Sequence, residues 1–231
     1  MPVSIPTLDV ERGLLAESSA QVLIAIDEVG RGALAGPLTI GAVAIDVRTA
    51  DAPTGIRDSK ALSAKRRREL APRVHEWAVA SVVVDVPPVR IDQSGIVRVL
   101  GEGAVEAIRL VLESCTSSGA DPQALVLLDG HHDFISPVDP SYTVHTKVKG
   151  DATCASIAAA SIIAKVHRDS LMVDLHDEFP EYGWSRNVGY GTKEHRRGLE
   201  LSGVSVHHRR SWRLFEEPTL DLDVAERNVD V

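Results

Sequence analysis

The most restrictive feature of this sequence is a helical segment that has no polar face. Residues 153–164 read TCASIAAASIIA, within a predicted helix that runs from Asp151 to about Phe179. A helix that is small and apolar on nearly every side must be buried. Its alanines permit close packing against a sheet. The chain is therefore expected to fold in layers, with this helix inside and against the strands.

Short apolar runs rich in branched side chains predict the strands of that sheet. The run Ala124–Asp129, ALVLLD, is apolar up to its final acid and indicates a buried central strand. A glycine-rich link between the first two strands favours an antiparallel pair. The other expected elements are strands at 22–27, 39–46, 80–86 and 142–147 and helices at 63–79, 91–117 and 192–201. Strands that first meander and then alternate with helices predict an α/β or α+β fold with a mixed sheet.

Charge is unevenly distributed along this chain, whose net charge is −8. Residues 186–213 hold seven basic and two acidic residues, a net +5, whereas residues 216–231 hold six acids and one arginine, a net −5. A basic face on an acidic protein can bind phosphates. A second basic run, Lys65–Arg68, fits a solvated helix face equally well.

Several classes of protein are not expected from this composition. The two cysteines, Cys115 and Cys154, form no CxxC and are expected to be reduced core thiols, as in a reducing cytosol. The N-terminal residues show no basic segment followed by an apolar run. The longest uncharged runs, such as Ala33–Ile45, are shorter than the roughly 20 apolar residues that span a bilayer. We therefore expect a cytoplasmic protein without a membrane partner.

Acidic residues stand where predicted strands end and where the buried helix begins. Asp27 and Glu28 end the first strand, Asp129 ends the ALVLL strand, and Asp151 opens the helix and could be its N-cap. If the two strands are parallel neighbours, Asp27 and Asp129 lie side by side at the sheet edge where sites form. Hard oxygen ligands suit Mg²⁺ or Mn²⁺. The sequence therefore predicts a metal site beside a glycine-rich loop.

Glu28 raises a question of geometry, because successive strand residues face opposite sides of a sheet. Asp27 and Glu28 cannot both enter one site from a regular strand. Either the strand has ended by Glu28, or Glu28 contributes its backbone carbonyl or an outer contact. A purely structural role also stays open for each acid, since Asp is common at strand ends and helix starts.

Five ordered blocks of the sequence resemble bacterial ribonuclease HII, of the type 2 ribonuclease H family. They are AIDEVGRGALAGPL, RDSKALS, LLDG, KGDATCASIAAASIIAKVHRD and GYGTKEH. The resemblance covers about Val22 to Trp212. It implies a ribonuclease H-like mixed β-sheet flanked by helices, with a small helical C-terminal appendage. We expect a ribonuclease H-like catalytic domain at 1–185 and a basic helical substrate-binding segment at 186–215. The acidic residues 216–231 lie outside the shared pattern and are expected to form a mobile tail.

The same resemblance implies the reaction and its partners. The enzyme would be a metal-dependent endonuclease that cleaves RNA embedded in or hybridised to DNA, including a single ribonucleotide in duplex DNA. The cut would fall 5′ to the ribonucleotide and leave 3′-hydroxyl and 5′-phosphate ends. The implied cofactor is Mn²⁺ or Mg²⁺. The implied partners are RNA–DNA hybrids and ribonucleotide-containing DNA, and we expect a monomer.

Site residues follow from the resemblance by their positions in the motifs. The residues that match the family's metal-binding and catalytic acids are Asp27, Glu28, Asp129 and Asp151. Gly30, Arg31 and Gly32 match the loop that contacts the 2′-hydroxyl of the ribonucleotide. Tyr190 matches a tyrosine that senses the deoxyribose after the junction, and Lys60 matches a lysine near the substrate phosphates.

Rival interpretations differ from this one in what they require of the substrate. A DNA resolvase or integrase-like nuclease of the same fold would not need a 2′-hydroxyl. A nucleic-acid-binding module with structural acids would bind without Mg²⁺ and cleave nothing. The adjacent pairs His131–His132 and His207–His208 are interpreted as solvated or phosphate-contacting side chains. The run TLDLDV at 219–224 faintly resembles a sliding-clamp peptide but lacks its glutamine and final aromatic residue.

Overall fold

The computed structural model of the chain describes residues 5–115 and 122–215. The strands are β1 (Val22–Val29), β2 (Leu38–Ile45), β3 (Ala80–Val86), β4 (Ala124–Asp129) and β5 (Thr143–Lys147). The α-helices are α1 (Asp9–Glu17), α2 (Ala64–Trp77), α3 (Pro88–Ser94), α4 (Ile96–Cys115), α5 (Ala155–Glu178), α6 (Trp184–Asn187) and α7 (Lys193–Ser202). The expected acidic tail at 216–231, with its TLDLDV run, lies outside the described residues.

The strands form one mixed sheet in the order β3-β2-β1-β4-β5. β1 pairs antiparallel with β2, and β2 with β3, whereas the pairs β1–β4 and β4–β5 are parallel. The predicted antiparallel pair and mixed sheet are confirmed. Ile26 lies opposite Leu128 in the parallel pair. The next residue of each strand, Asp27 and Asp129, therefore emerges at the same edge of the sheet.

Helices cover both faces of this sheet. The alanine-rich first half of α5 is buried against β1 and β2, as its composition predicted. Gly41 of β2 makes this approach possible, because a Cβ atom there would lie 2.3 Å from the carbonyl oxygen of Ala160. Helix α2 packs on α5, and α4 covers the opposite face with side chains such as Ala104 and Ile108. The layered arrangement holds the acid-bearing edge in a fixed place.

Two helix boundaries differ from those expected. The single helix predicted over 91–117 is two helices, because Gly95 adopts φ 78° between α3 and α4. That left-handed conformation ends α3 and turns the chain. Helix α5 begins at Ala155 rather than Asp151. Asp151 belongs to a separate 3₁₀ turn, Gly150–Ala152, and Cys154 occupies the N-cap position, so the N-cap role expected for Asp151 is wrong.

The C-terminal region folds back onto the link between β1 and β2. An apolar cluster, separate from the two faces of the sheet, joins that link to the end of α5 and to the region after it. Its buried members are Leu34, Ala35, Met172, Tyr182, Trp184, Leu199 and Leu214. The basic segment at 186–215 was expected to begin at residue 186, which lies within helix α6. The division into domains stays a prediction. In the two described ranges, no helix is both long and apolar enough to cross a membrane.

Candidate active site

Asp27 and Glu28 lie near the C-terminal end of β1, before its link to β2. The Asp27 side chain is nearly buried, and its Oδ1 accepts a hydrogen bond from the Glu28 N–H at 2.8 Å. Strand β1 continues to Val29, so the suggestion that the strand has ended by Glu28 is wrong. The Glu28 carboxylate instead lies 3.6 Å from the Arg31 guanidinium. A role for Glu28 through its backbone or an outer contact fits this placement.

Asp129 fixes the turn that carries Asp151. Its Oδ1 accepts a hydrogen bond from the Gly150 N–H at 2.7 Å. Only glycine fits there without a shift, because a Cβ atom at residue 150 would lie 2.4 Å from Cδ1 of Ile157 and 3.1 Å from that same Oδ1. The two acids, distant in sequence, are thus joined through one backbone contact.

The acids act on one another electrostatically. Burial raises the pKa of Asp27 well above its usual value, and the charges of Glu28 and Asp129 raise it further. Burial also raises the pKa of Asp151, and the charge of Asp129 is the next largest cause. The pKa of Lys60 is raised above its usual value. Burial alone would lower this pKa, but nearby negative charges, first those of Asp27 and Asp151, outweigh burial. The structure therefore gathers the four predicted acids and one cation within a single electrostatic site.

The donor atoms of this site fit a hard divalent cation. Over residues 5–115 and 122–215, no three acidic, histidine or cysteine side chains stand close enough together to form a ready-made metal site. The charge of Asp129 is nevertheless near enough to raise the pKa of both Asp27 and Asp151, and a cation would relieve this repulsion. Carboxylate oxygens without cysteine or histidine suit Mg²⁺ or Mn²⁺ better than zinc.

Most of the predicted site residues line one cleft of about 320 Å³. They are Asp27, Glu28, Gly30, Arg31, Gly32, Lys60 and Tyr190. Asp129 and Asp151 do not line it and influence it through Asp27 and Lys60. The cleft also includes Ser59, Ser161 and Lys165, which sequence reasoning did not single out. All three lie inside the blocks RDSKALS and KGDATCASIAAASIIAKVHRD, so their place in these motifs was the signal that could have found them.

Two buried arginines hold the link between β1 and β2, and sequence reasoning missed both roles. Arg168 donates to the carbonyls of Pro37 at 2.9 Å, Ala35 at 3.0 Å and Val188 at 2.8 Å. Arg209 donates to the carbonyls of Arg31 at 2.9 Å and Gly36 at 3.1 Å. Fixing these carbonyls fixes the Gly30–Gly32 loop beside the acids.

Tyr190 stands across the cleft from this loop. Its ring is 36% exposed, and a Cβ atom at Gly32 would lie 4.0 Å from its Cε1. The guanidinium carbon of Arg168 lies 5.7 Å from the ring centroid. The ring of Tyr190 is therefore the exposed aromatic surface of this cleft.

One prediction about the histidine pairs is wrong. His208 was expected to be solvated or to contact phosphate, but it is buried and hydrogen-bonded.

Comparison with known proteins identifies the family. The sequence model described as Ribonuclease HII matches residues 24–215. A ribonuclease HII from Streptomyces griseus subsp. griseus is 40% identical over 215 residues, which cover 92% of this chain and 86% of the relative. One from Salinibacter ruber is 41% identical over 207 residues, which cover 90% of this chain and 98% of the relative.

Solved structures share the fold. Ribonuclease H2 from Pyrococcus horikoshii OT3 matches with a TM-score of 0.64 and 27% identity, covering 84% of this chain and 94% of that one. The ribonuclease HII of the PCNA:RNase HII complex from Archaeoglobus fulgidus matches with a TM-score of 0.66 and 27% identity, covering 87% and 98%. The expected ribonuclease H-like fold is thus confirmed, and the chain belongs to the ribonuclease HII family of ribonuclease H enzymes.

Proposed function

We propose that this enzyme is an endonuclease that cleaves RNA embedded in or hybridised to DNA, including a single ribonucleotide in duplex DNA. The cut lies 5′ to the ribonucleotide, leaves 3′-hydroxyl and 5′-phosphate ends, and requires Mg²⁺ or Mn²⁺. RNA–DNA hybrids and ribonucleotide-containing DNA are its substrates. The enzyme works as a monomer in the cytoplasm.

One observation carries this proposal: two adjacent acids and a glycine loop are neighbours in the chain and line the same cleft. Asp27 and Glu28 precede Gly30–Gly32 by a few residues, and all of them line it. The 2′-hydroxyl distinguishes ribose from deoxyribose and both donates and accepts hydrogen bonds. A glycine loop lets backbone groups approach that hydroxyl closely. Recognition of the ribose beside the acids supports cleavage at the adjacent linkage.

The roles of the site residues follow from their charges and places. Asp27, Asp129 and Asp151 would hold divalent ions, with Glu28 as a ligand or an outer contact. When bound, such ions supply Lewis-acid activation of a water and stabilisation of charge on the leaving oxygen. Lys60 is a cation beside the acids and positions a substrate phosphate without reading sequence. The Tyr190 ring packs against the sugar that follows the junction.

Two labelled duplexes that differ by one 2′-hydroxyl test this proposal. With Mg²⁺ or Mn²⁺, we expect the wild-type enzyme to nick the duplex that contains a single ribonucleotide and to leave the all-DNA duplex intact. Asp27→Asn should abolish nicking. The matched control is Asp177→Asn, which changes an exposed acid on α5 outside the cleft and should retain it. Equal cutting of both duplexes would contradict ribose recognition.

A second substrate tests the rival function. A DNA resolvase or integrase-like nuclease of this fold would act on an all-DNA four-way junction. We expect no cutting of such a junction under conditions in which the ribonucleotide duplex is nicked. Cutting of the junction alone would replace the proposed substrate class.

A further inference from the structure

Two buried histidines of the C-terminal region contact each other, and the roles proposed above involve neither. His195 on α7 and His208 after it are 0% and 1% exposed. Their Nε2 atoms lie 3.0 Å apart. Two nitrogens at that distance share one proton, so one ring donates and the other accepts. The surrounding contacts decide which.

The contacts of His195 fix its tautomer. The Trp184 indole N–H, which can only donate, lies 3.1 Å from Nε2 of His195. That nitrogen must therefore accept and carries no proton. The other ring nitrogen, Nδ1, lies 3.0 Å from the Tyr190 carbonyl oxygen, which can only accept. His195 is thus neutral, with its proton on Nδ1 donated to Tyr190.

The contacts of His208 fix the complementary tautomer. The backbone N–H of Ser205 donates to Nδ1 of His208 at 3.0 Å, and the Ser205 hydroxyl, 2.8 Å from the same nitrogen, can donate to it as well, so that nitrogen carries no proton. The proton of the neutral ring is therefore on Nε2 and is directed at Nε2 of His195, which accepts from both His208 and Trp184. The result is a one-directional series of hydrogen bonds from Ser205 through His208 and His195 to the carbonyl of Tyr190.

This series ends on a backbone segment that further hydrogen bonds also hold: the Tyr190 N–H donates to the Asn187 carbonyl at 2.9 Å, and the Tyr190 carbonyl also accepts from the Thr192 N–H at 2.8 Å. Tyr190 lies between Gly189, with φ 85°, and Gly191. Glycines on both sides leave the segment few intrinsic restraints. The neighbours of His208 also bind the link between β1 and β2, because the carbonyl of His207 accepts from the Gly36 N–H at 2.9 Å and the Arg209 N–H donates to the Leu34 carbonyl at 2.9 Å. The region around the histidine pair therefore contacts both the Tyr190 segment and the link that carries the Gly30–Gly32 loop.

We propose that His195, oriented by His208, is a positioning residue that holds the backbone of Tyr190 so that its ring faces Gly32 across the cleft. This inference rests on the proposed role of Tyr190 at the substrate sugar. His195 touches no reacting atom and acts through the Tyr190 carbonyl.

The first test is spectroscopic and needs no substrate. Two-bond ¹H–¹⁵N correlation spectra of the full-length wild-type protein at neutral pH report the tautomer of each imidazole. Spectra of His195→Gln and His208→Gln assign the two rings among the nine histidines. We expect His195 to carry its proton on Nδ1 and His208 on Nε2. The reverse tautomers, or exchange between tautomers in either ring, would overturn the proposal.

The second test is a double-mutant cycle with Tyr190→Ala. In His195→Gln, the new amide oxygen can still accept from Trp184 and His208, whereas the contact with the Tyr190 carbonyl is lost. We expect His195→Gln to lower kcat/KM on the single-ribonucleotide duplex about tenfold. In the Tyr190→Ala background it should change kcat/KM by less than about twofold, because no ring remains to be positioned.

The cycle separates positioning from general destabilisation. An equal loss in both backgrounds would overturn the proposal, because His195 would then act independently of Tyr190. His75, which is exposed on α2 and lies outside the cleft, supplies the matched control, and His75→Gln should leave both kinetic constants unchanged. If the wild-type enzyme cuts no ribonucleotide duplex, the proposed function fails. The tautomers measured by the spectroscopic test then show by themselves whether the series of hydrogen bonds exists.

Discussion

The side chain of Arg168 occupies the space that a Cβ atom at Gly30 would need. Such an atom would lie 2.2 Å from Nε of the arginine, and Gly30 itself has φ 88°. The same guanidinium donates to the carbonyls of Ala35 and Pro37. One buried side chain thus contacts the first residue of the glycine loop and the later part of the link to β2. Substitutions of Gly30 and of Arg168 both test the importance of this contact.

Gly30→Ala should remove most of the cleavage activity. The substitution combines a left-handed φ with a collision against a buried, hydrogen-bonded group, so the loop must move. We expect nicking of the single-ribonucleotide duplex to fall by about 100-fold, since small displacements of a positioned group cost that much. Stability should fall by roughly 2–4 kcal/mol in urea unfolding.

Two other glycines provide controls for this change. Gly95 has φ 78° and ψ 152° but nothing within 4 Å of an added Cβ, so Gly95→Ala tests backbone strain alone and should cost roughly 1–3 kcal/mol with activity retained. Gly13 lies in α1 with equal space and an ordinary backbone, so Gly13→Ala should be neutral or stabilising. Similar losses of activity at Gly30 and Gly95 would contradict the importance of the Arg168 contact.

Arg168→Lys should destabilise the protein and slow cleavage. An ammonium group cannot reproduce the fork that reaches three carbonyls, so buried acceptors lose their partners. We expect a loss of about 2–4 kcal/mol by denaturant unfolding. The control is Arg48→Lys. The Arg48 side chain is exposed and pairs with Asp46, so this substitution should change stability by less than about 0.5 kcal/mol. Equal effects of the two changes would rule out the anchoring role.

Asp129→Asn should abolish cleavage without lowering the melting temperature in EDTA. The amide oxygen can still accept from the Gly150 N–H, while one negative charge near Asp27 and Asp151 is removed. Added Mn²⁺ should stabilise the wild type more than the variant, because a metal stabilises the state that binds it. A variant that melts well below wild type in EDTA would mean that the carboxylate is structural.

His208 should make stability fall as the solution is acidified. Burial and the neighbouring His195 lower its pKa from 6.5 to about 4. Between these values the unfolded chain binds a proton that the folded protein does not, so the free energy of unfolding decreases as pH falls from 6.5 towards 4, by up to about 3 kcal/mol. Above pH 6.5 the group contributes nothing.

Melting curves from pH 7 to pH 5 check this effect against a variant. His208→Gln cannot titrate, so its melting temperature should fall less over this range than that of wild type. His131→Gln removes an exposed histidine and should follow the wild-type curve. An unchanged pH dependence in His208→Gln would mean that the ring binds its proton equally well in the folded and unfolded states.

The neighbouring positions of Asp27 and Asp129 could be predicted from the sequence. Apolar runs mark the two strands, and residues that end parallel neighbours share a sheet edge. The position of Asp151 near them was expected, but its N-cap role was not confirmed, because the chain inserts a 3₁₀ turn before α5. The break at Gly95 was missed because glycine alone does not end a helix, and Gly101 and Gly103 lie inside α4.

The anchoring arginines could not be predicted, for a physical reason. Arg168 donates to a carbonyl 131 residues away, and Arg209 to one 178 residues away. Every residue has a backbone carbonyl, so no side-chain pattern marks such a partner. The burial of His208 was missed likewise, since its partners come from the fold rather than from adjacent residues.

The ends of the cleavage product test the central claim most directly, namely that the 2′-hydroxyl is recognised beside the acids and does not itself attack. The measurement maps both ends of the nick that wild-type enzyme makes in a single-ribonucleotide duplex with Mn²⁺. We predict a 3′-hydroxyl on the upstream fragment and a 5′-phosphate on a fragment that begins with the ribonucleotide. A cut on the 3′ side that leaves a 2′,3′-cyclic phosphate would show that the hydroxyl is the nucleophile and would contradict the account.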